Sequence, residues 1–244
     1  MHSIYLSPHL DDAVFSCGGL IWQQQQNGDE VELWTIFAGD PPGELTPFAR
    51  ELHARWQAGE DAVALRRAED DAACKILGVK NWHAAYPDCI YRRNPATHEP
   101  VIVINEDLFK PVQEGEEVLV RSVSDQLQQQ VSENALVFCP LAIGGHVDHR
   151  LTRLAAEKSG LTLAYYADFP YSKGMGLDAG ALLPAGGKKV TIELEPDDID
   201  TWIRAMAEYR SQLSSFWSSE VEMAEDVASY AQSEAGRTYW LNCV

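Results

Sequence analysis

Short apolar runs, each closed by a proline, glycine or aspartate, alternate along this chain with longer segments whose apolar residues recur at helical spacing. No other feature narrows the choice of fold as far. Strands joined by helical crossovers lie parallel, and a parallel sheet must be covered by helices on both faces. The first run, Ser3–Ser7 (SIYLS), stops at Pro8 and reads as a buried strand. A helix is expected over Ala13–Gln26, ending at Asn27-Gly28, and Val31–Ala38 (VELWTIFA) reads as the second strand. Gly39–Pro47 is a loop by its Gly and Pro content, followed by helices over Pro47–Gln57 and Glu60–Leu77. Trp82–Tyr86 reads as the third strand and Asn94–Pro100 as irregular. Leu119, Val123, Leu127 and Val131 mark a helix leading into a fourth strand, Ala135–Cys139. A loop at Pro140–Gly145 opens a helix over His146–Lys158, and Leu161–Ala167 is the fifth strand. Beyond a Gly-rich stretch at Lys173–Gly187 lie Lys189–Leu194 and two helices within Pro196–Ser233.

The pattern predicts an α/β fold: a single Rossmann-like domain with a mostly parallel sheet flanked by helices and a C-terminal helical appendage. The core αβ unit is expected over residues 1–168, and the C-terminal strand and helices over 169–244 of the same domain. Composition sets the class of partner. There are 19 Lys+Arg against 37 Asp+Glu, a formal charge of −18. Nucleic-acid phosphates and anionic membrane surfaces would repel such a chain, so neither is an expected partner. No apolar run is long enough to span a bilayer, and the N-terminus lacks the basic and apolar regions of a signal peptide. The five cysteines (Cys17, Cys74, Cys89, Cys139 and Cys243) are scattered and odd in number. That fits reduced thiols in a cytoplasmic protein, with Cys17, Cys74 and Cys139 as small buried apolar groups. The oligomeric state stays open, a homo-oligomer included.

Two segments concentrate the chemistry. Ser7-Pro8-His9-Leu10-Asp11-Asp12 follows the first predicted strand, and Gly144-Gly145-His146-Val147-Asp148-His149 follows the fourth. Ligands of open α/β sheets bind outside the carboxyl ends of the strands, where the strand order reverses. With the order 3-2-1-4-5, strands one and four are neighbours at that point, and both segments share one crevice. Together they supply imidazole and carboxylate groups suited to a catalytic zinc ion with an open position for water. Alternatively, Asp11 or Asp12 caps the following helix, and the histidines are surface groups.

These segments resemble the signatures of the PIG-L/LmbE-like zinc-dependent de-N-acetylases, a Pro/Ala-His-x-Asp-Asp motif and a later His-x-Asp-His motif. Arg66-Arg67-Ala68-Glu69, Leu77-Gly78, Tyr86-Pro87-Asp88 and Tyr209-Arg210-Ser211-Gln212 are also similar to that family, so the resemblance spans most of the chain. It implies His9, Asp12 and His149 as metal ligands and Asp11 as the general base toward zinc-bound water. It implies His146 as the protonated partner that stabilises the oxyanion and protonates the leaving amine, with Asp148 hydrogen-bonded to it and raising its pKa. Arg66 and Asp88 match substrate-contacting positions. The alternatives are an i,i+3 pair of Arg66 with Glu69 and a plain turn role for Asp88. Asp168, ending the fifth strand, is expected to place its loop along the crevice wall, and Tyr166 and Tyr171 either stack on a sugar or pack as aromatic core.

The implied reaction removes an N-acetyl or other N-acyl group from an amino-sugar conjugate, giving the carboxylate and the free amine. Zinc is the expected ion, although Fe(II) or Co(II) suits the same donors. Leu10 and Ala13 stand where many members carry Pro and Glu, which sets the chain apart from the thiol-pathway enzymes. The loop at Gly39–Pro47 and the Tyr91–Pro100 insertion are expected to reshape the substrate mouth. His2, His53, His83 and His98 lack a partner pattern. One rival is a non-haem Fe(II) oxygenase built on His9, Asp11 and His149, although such enzymes favour β-barrels. Another is a catalytically silent metal- or nucleotide-binding module using Gly18-Gly19 or Gly144-Gly145, neither of which forms GxGxxG or a P-loop.

Overall fold

The sheet begins where the sequence starts. His2–Ser7 (β1) runs through the middle of it, with Ile4 and Leu6 packed against one layer of side chains and Tyr5 against the other. This alternation is what a strand buried on both faces requires. The computed structural model describes residues 1–113, 115–173, 182–183 and 187–242. Along the chain β1 is followed by α1 (Asp12–Gln26), β2 (Glu30–Thr35), α2 (Pro47–Arg55), α3 (Ala62–Leu77) and β3 (Lys80–His83). Then come α4 (Glu117–Gln130), β4 (Ala135–Pro140), α5 (Val147–Lys158) and β5 (Leu163–Tyr166). The remaining elements are β6 (Lys188–Thr191), α6 (Pro196–Met206), α7 (Arg210–Leu213), α8 (Glu220–Gln232) and β7 (Thr238–Leu241).

The seven strands form one sheet in the order β3-β2-β1-β4-β5-β7-β6, parallel except for β7, which is antiparallel to both of its neighbours. The expected reversal of strand order between β1 and β4 is therefore present. Strand β7 was not anticipated. It has only four residues, and its partner β5 lies far back along the chain, so no local pattern announces the pairing. The expected C-terminal pair of helices is three, because a short turn of helix at α7 separates the other two. The Gly-rich stretch lies mostly outside the described residues.

Helices α1, α3, α6 and α8 cover one face of the sheet, while α4 and α5 cover the other. The C-terminal addition is joined closely to the αβ unit. Trp202 of α6 is fully buried against α1, and its indole N–H donates to the Val14 carbonyl at 2.7 Å. Gly18 makes room for it, since a Cβ there would come within 2.2 Å of the Trp202 ring. Packing of α6 thus accounts for Gly18, and a ligand role does not. A third, smaller apolar cluster joins Phe48, Leu52 and Trp56 from the α2 region to Ile90, Tyr91 and Ile102. It forms a ledge beyond the carboxyl ends of the strands. Cys17, Cys74, Cys89 and Cys139 are buried and unpaired, and no described helix is long and apolar enough to cross a membrane.

Candidate active site

The turn after β1 frees its carboxylates by giving their capping duty to a serine. Asp11 occupies the N-cap position of α1, yet its side chain makes no capping hydrogen bond. Ser7 Oγ instead accepts the Ala13 N–H at 3.0 Å and donates to the His9 carbonyl at 2.6 Å. Asp12 steadies the turn by accepting the His9 backbone N–H at 2.8 Å. After β4, Gly144 and Gly145 adopt φ of +85° and +76°, in the left-handed region that glycine enters without strain. A side chain at Gly144 would also collide with Tyr171, whose Cδ1 would lie 2.7 Å away.

These two turns bring together the residues predicted from the sequence. Asp12 Oδ2 lies 3.0 Å from His9 Nδ1 and 3.2 Å from His149 Nε2. Ring nitrogens of His9, His146 and His149 fall within 4.8 Å of one another. The far nitrogen of each prospective ligand is committed elsewhere. His9 Nε2 contacts Asp148 Oδ2 at 3.1 Å, and His149 Nδ1 contacts Asp168 Oδ1 at 2.7 Å. Carboxylates on the outer nitrogens fix the tautomer and the aim of metal-binding histidines. Asp168 therefore does more than end a strand beside the crevice: it orients His149, while its second oxygen accepts the Ile143 N–H at 2.9 Å. Only its place at the end of the fifth strand hinted at this, because no motif joins it to the histidines.

The electrostatics fit a cation at this point. Burial disfavours charge on His149, yet the Asp12 charge and hydrogen bonds to Asp12 and Asp168 push its pKa up to about 10. His9 is likewise raised against burial, by Asp88, Asp12 and Asp148. The surrounding carboxylates demand positive charge among these rings, which a divalent ion held by His9, Asp12 and His149 would supply. Asp11 stands beside them, its carboxyl pushed up to about 7 by burial and by Asp12, against the pull of Arg66. A bound cation would draw that value back down.

Asp148 corrects one expectation. Its carboxylate does not hydrogen-bond His146. It accepts the Cys89 N–H at 2.9 Å, faces His9, and pairs with Arg92 at 2.6 Å, which holds it well below the usual carboxylate range despite burial. His146 meets only the backbone of that residue, with Nδ1 accepting the Asp148 N–H at 3.2 Å. Burial, then the charges of His9 and His149, hold the His146 pKa well below normal, and the favourable Asp148 charge does not offset them. With Nδ1 occupied as an acceptor, Nε2 is the nitrogen left to donate.

Arg66 does not pair with Glu69, which is occupied by Ser211. Its guanidinium lies 3.7 Å from Asp11, 3.9 Å from Asp88 and 4.8 Å over the Trp56 ring. Asp88 divides its oxygens: Oδ1 accepts the Ile90 N–H at 3.1 Å, and Oδ2 lies 3.7 Å from His9 Nε2. These groups open into a cleft of about 290 Å³, also lined by Trp56, Asn105, Phe109, Tyr171, Gln212 and Phe216. The expected mouth loops at Gly39–Pro47 and Tyr91–Pro100 do not line it. Tyr171 does, whereas Tyr166 is buried and donates to the Leu6 carbonyl. His53 is buried behind Trp56, linking Tyr91 Oη at 2.6 Å and the Gly59 carbonyl at 2.8 Å. The rim residues Trp56, Asn105, Phe109 and Phe216 carried no sequence signal, because each is a single side chain on an irregular or short segment.

Fold and site together define a Rossmann-like α/β protein with a histidine–carboxylate centre at the switch point of its sheet. Residues 4–159 match the PIG-L family, GlcNAc-PI de-N-acetylase, and the chain belongs to that family. It is similar to a 2'-N-acetylparomamine deacetylase of Niallia circulans, with 27% identity covering 90% of this chain and 83% of that protein. The zinc-inhibited form of teicoplanin deacetylase Orf2 superposes with a TM-score of 0.83 at 29% identity, covering 99% of this chain and 97% of the other. The deacetylase of the A40926 pseudoaglycone, Dbv21, gives a TM-score of 0.72 at 30% identity over 98% and 96% of the two chains.

Proposed function

We propose that this protein is a zinc-dependent hydrolase that removes an N-acetyl group from an amino-sugar conjugate. The observation that carries the proposal is the meeting of His9, Asp12 and His149 with Asp11 and His146 in one aromatic-walled cleft. The similarity to deacetylases of 2'-N-acetylparomamine, teicoplanin and the A40926 pseudoaglycone supports the substrate class.

In this reading His9, Asp12 and His149 hold the ion. Zinc suits the donor set, and Fe(II) or Co(II) would fit the same ligands. When bound, the metal would supply Lewis-acid polarisation of the acyl carbonyl and of a water molecule. Asp11 accepts the proton of the attacking water, a task its burial beside a second carboxylate favours. His146 donates a hydrogen bond from Nε2–H to the developing oxyanion, and the proton that Asp11 takes from the water passes to the departing nitrogen. Asp148 and Asp168 aim the two ligand rings. Arg66 and Asp88 contact the sugar, with Asp88 accepting from hydroxyls and Arg66 held over the Trp56 ring. Water adds its oxygen to the acyl carbon and the C–N bond breaks, giving acetate and the free amine. The chain's net charge of −18 favours a neutral or modestly charged conjugate over a polyanion.

Acetate release from a panel of N-acetylated glucosaminides and pseudodisaccharides tests this. Metal-loaded protein should release acetate, and metal-stripped protein should not until ion is restored. Equal release with and without metal, or none from any substrate at full loading, would overturn the proposal.

A further inference from the structure

Gln212 lies on α7, almost wholly buried, and lines the same cleft as Asp11, Arg66 and Asp88. Its amide orientation follows from its neighbours. Glu69 is buried on α3, one turn beyond Arg66, and its carboxylate accepts from Ser211 twice, from the backbone N–H at 2.9 Å and from Oγ at 2.6 Å. With its proton committed to Glu69, the Ser211 hydroxyl meets Gln212 as an acceptor. The Gln212 group 2.9 Å away must then be the amide nitrogen. That leaves Oε1, which has no hydrogen-bond partner among the described residues, as the acceptor of this cleft-lining side chain. An acceptor held by so firm a relay is a built feature of the wall.

We propose that Gln212 is a specificity residue: its side-chain carbonyl, turned by the Glu69–Ser211 relay, accepts a hydrogen bond from a ring hydroxyl of the amino sugar. The inference rests on the deacetylase reading and adds a contact to it. The carboxylates of Asp11, Asp12 and Asp88 provide charged acceptors in the cleft, whereas Gln212 provides a neutral one suited to a hydroxyl. Sites that pair with a substrate hydroxyl discriminate strongly against analogues lacking it, because the protein group is left unpaired.

The test compares the metal-loaded protein with Gln212→Met, Gln212→Glu and Ser211→Ala on an N-acetylglucosaminide and on analogues in which one ring hydroxyl at a time is replaced by hydrogen. The unaltered protein should lose roughly ten- to a hundred-fold in kcat/KM on one analogue. Gln212→Met should show little or no such penalty on that analogue. Gln212→Glu, which keeps an acceptor, should retain part of it, and Ser211→Ala should weaken it. Each penalty is a ratio of two substrates on one preparation, so a partly misfolded variant does not distort it.

Affinity for the corresponding free amino sugars, measured by calorimetry, provides a readout independent of turnover. The same hydroxyl should strengthen binding to the unaltered protein and not to Gln212→Met. If no substrate is turned over but this binding pattern appears, the deacetylase reading falls and the Gln212 contact stands. If every hydroxyl matters equally to the unaltered protein and Gln212→Met, or if no amino sugar binds, the proposal is overturned.

Discussion

The floor of the cleft and its rim are built on different principles. On the floor, the residues after β1, β4 and β5 hold one another through contacts of about hydrogen-bond length. Asp12 touches His9 and His149, while Asp148 and Asp168 take the outer nitrogens of those rings. On the rim, Phe109 and Phe216 remain 41% and 37% exposed, and Trp56 lines the cleft beneath the Arg66 guanidinium. The floor must hold charged groups in place, which requires partners for each of them. The rim has only to present surface, and it can change without disturbing that network. On the proposed function, reaction chemistry and substrate choice fall on separate parts of one molecule.

Substitutions sharpen this contrast, and the largest loss belongs to the floor. Asp11→Asn should lower kcat for acetate release about 10²- to 10⁴-fold with the melting curve little changed; near-normal turnover would remove Asp11 from the role of base. Next is Asp168→Asn, expected to weaken metal affinity about 10- to 100-fold. Competition with a chelator of known affinity measures it, and unchanged affinity would mean His149 is aimed by packing alone. On the rim, Trp56→Ala should raise KM by roughly ten-fold and leave kcat within a few-fold, since its effect is on binding. Initial-rate kinetics decide, and a fall in kcat with KM constant would place Trp56 on the floor side of the division. The smallest effect is expected from Phe216→Ala, within about 0.5 kcal/mol in stability by denaturant titration, with changes confined to which aglycones are accepted.

The same division explains what could be read in advance. His9, Asp11, Asp12, His146 and His149 were legible because each group lies within a few residues on a turn after a recognisable strand. The reversal of strand order then brought the two turns together. Arg92 and Asp168 were harder to read, since their roles depend on contacts between segments far apart in sequence. Asp148 shows the limit within a motif. The family resemblance implied a side-chain bond to His146, but the helix start turns its carboxylate toward Arg92 and His9. Strand β7 escaped for a similar reason, having four residues and distant partners.

The seat that Gly18 leaves for Trp202 separates the stretch that carries the family's hallmarks from the stretch that can fold. The family match ends at residue 159, before β5 begins and before Asp168 can reach His149. A nascent chain of that length would have every proposed metal ligand but an open slot on its first helix and an uncovered sheet face. The first helix completes its packing only when the indole arrives 188 residues after Val14, whose carbonyl it meets. Shortening the protein to its signature would therefore preserve the chemistry on paper and forfeit the body that holds it.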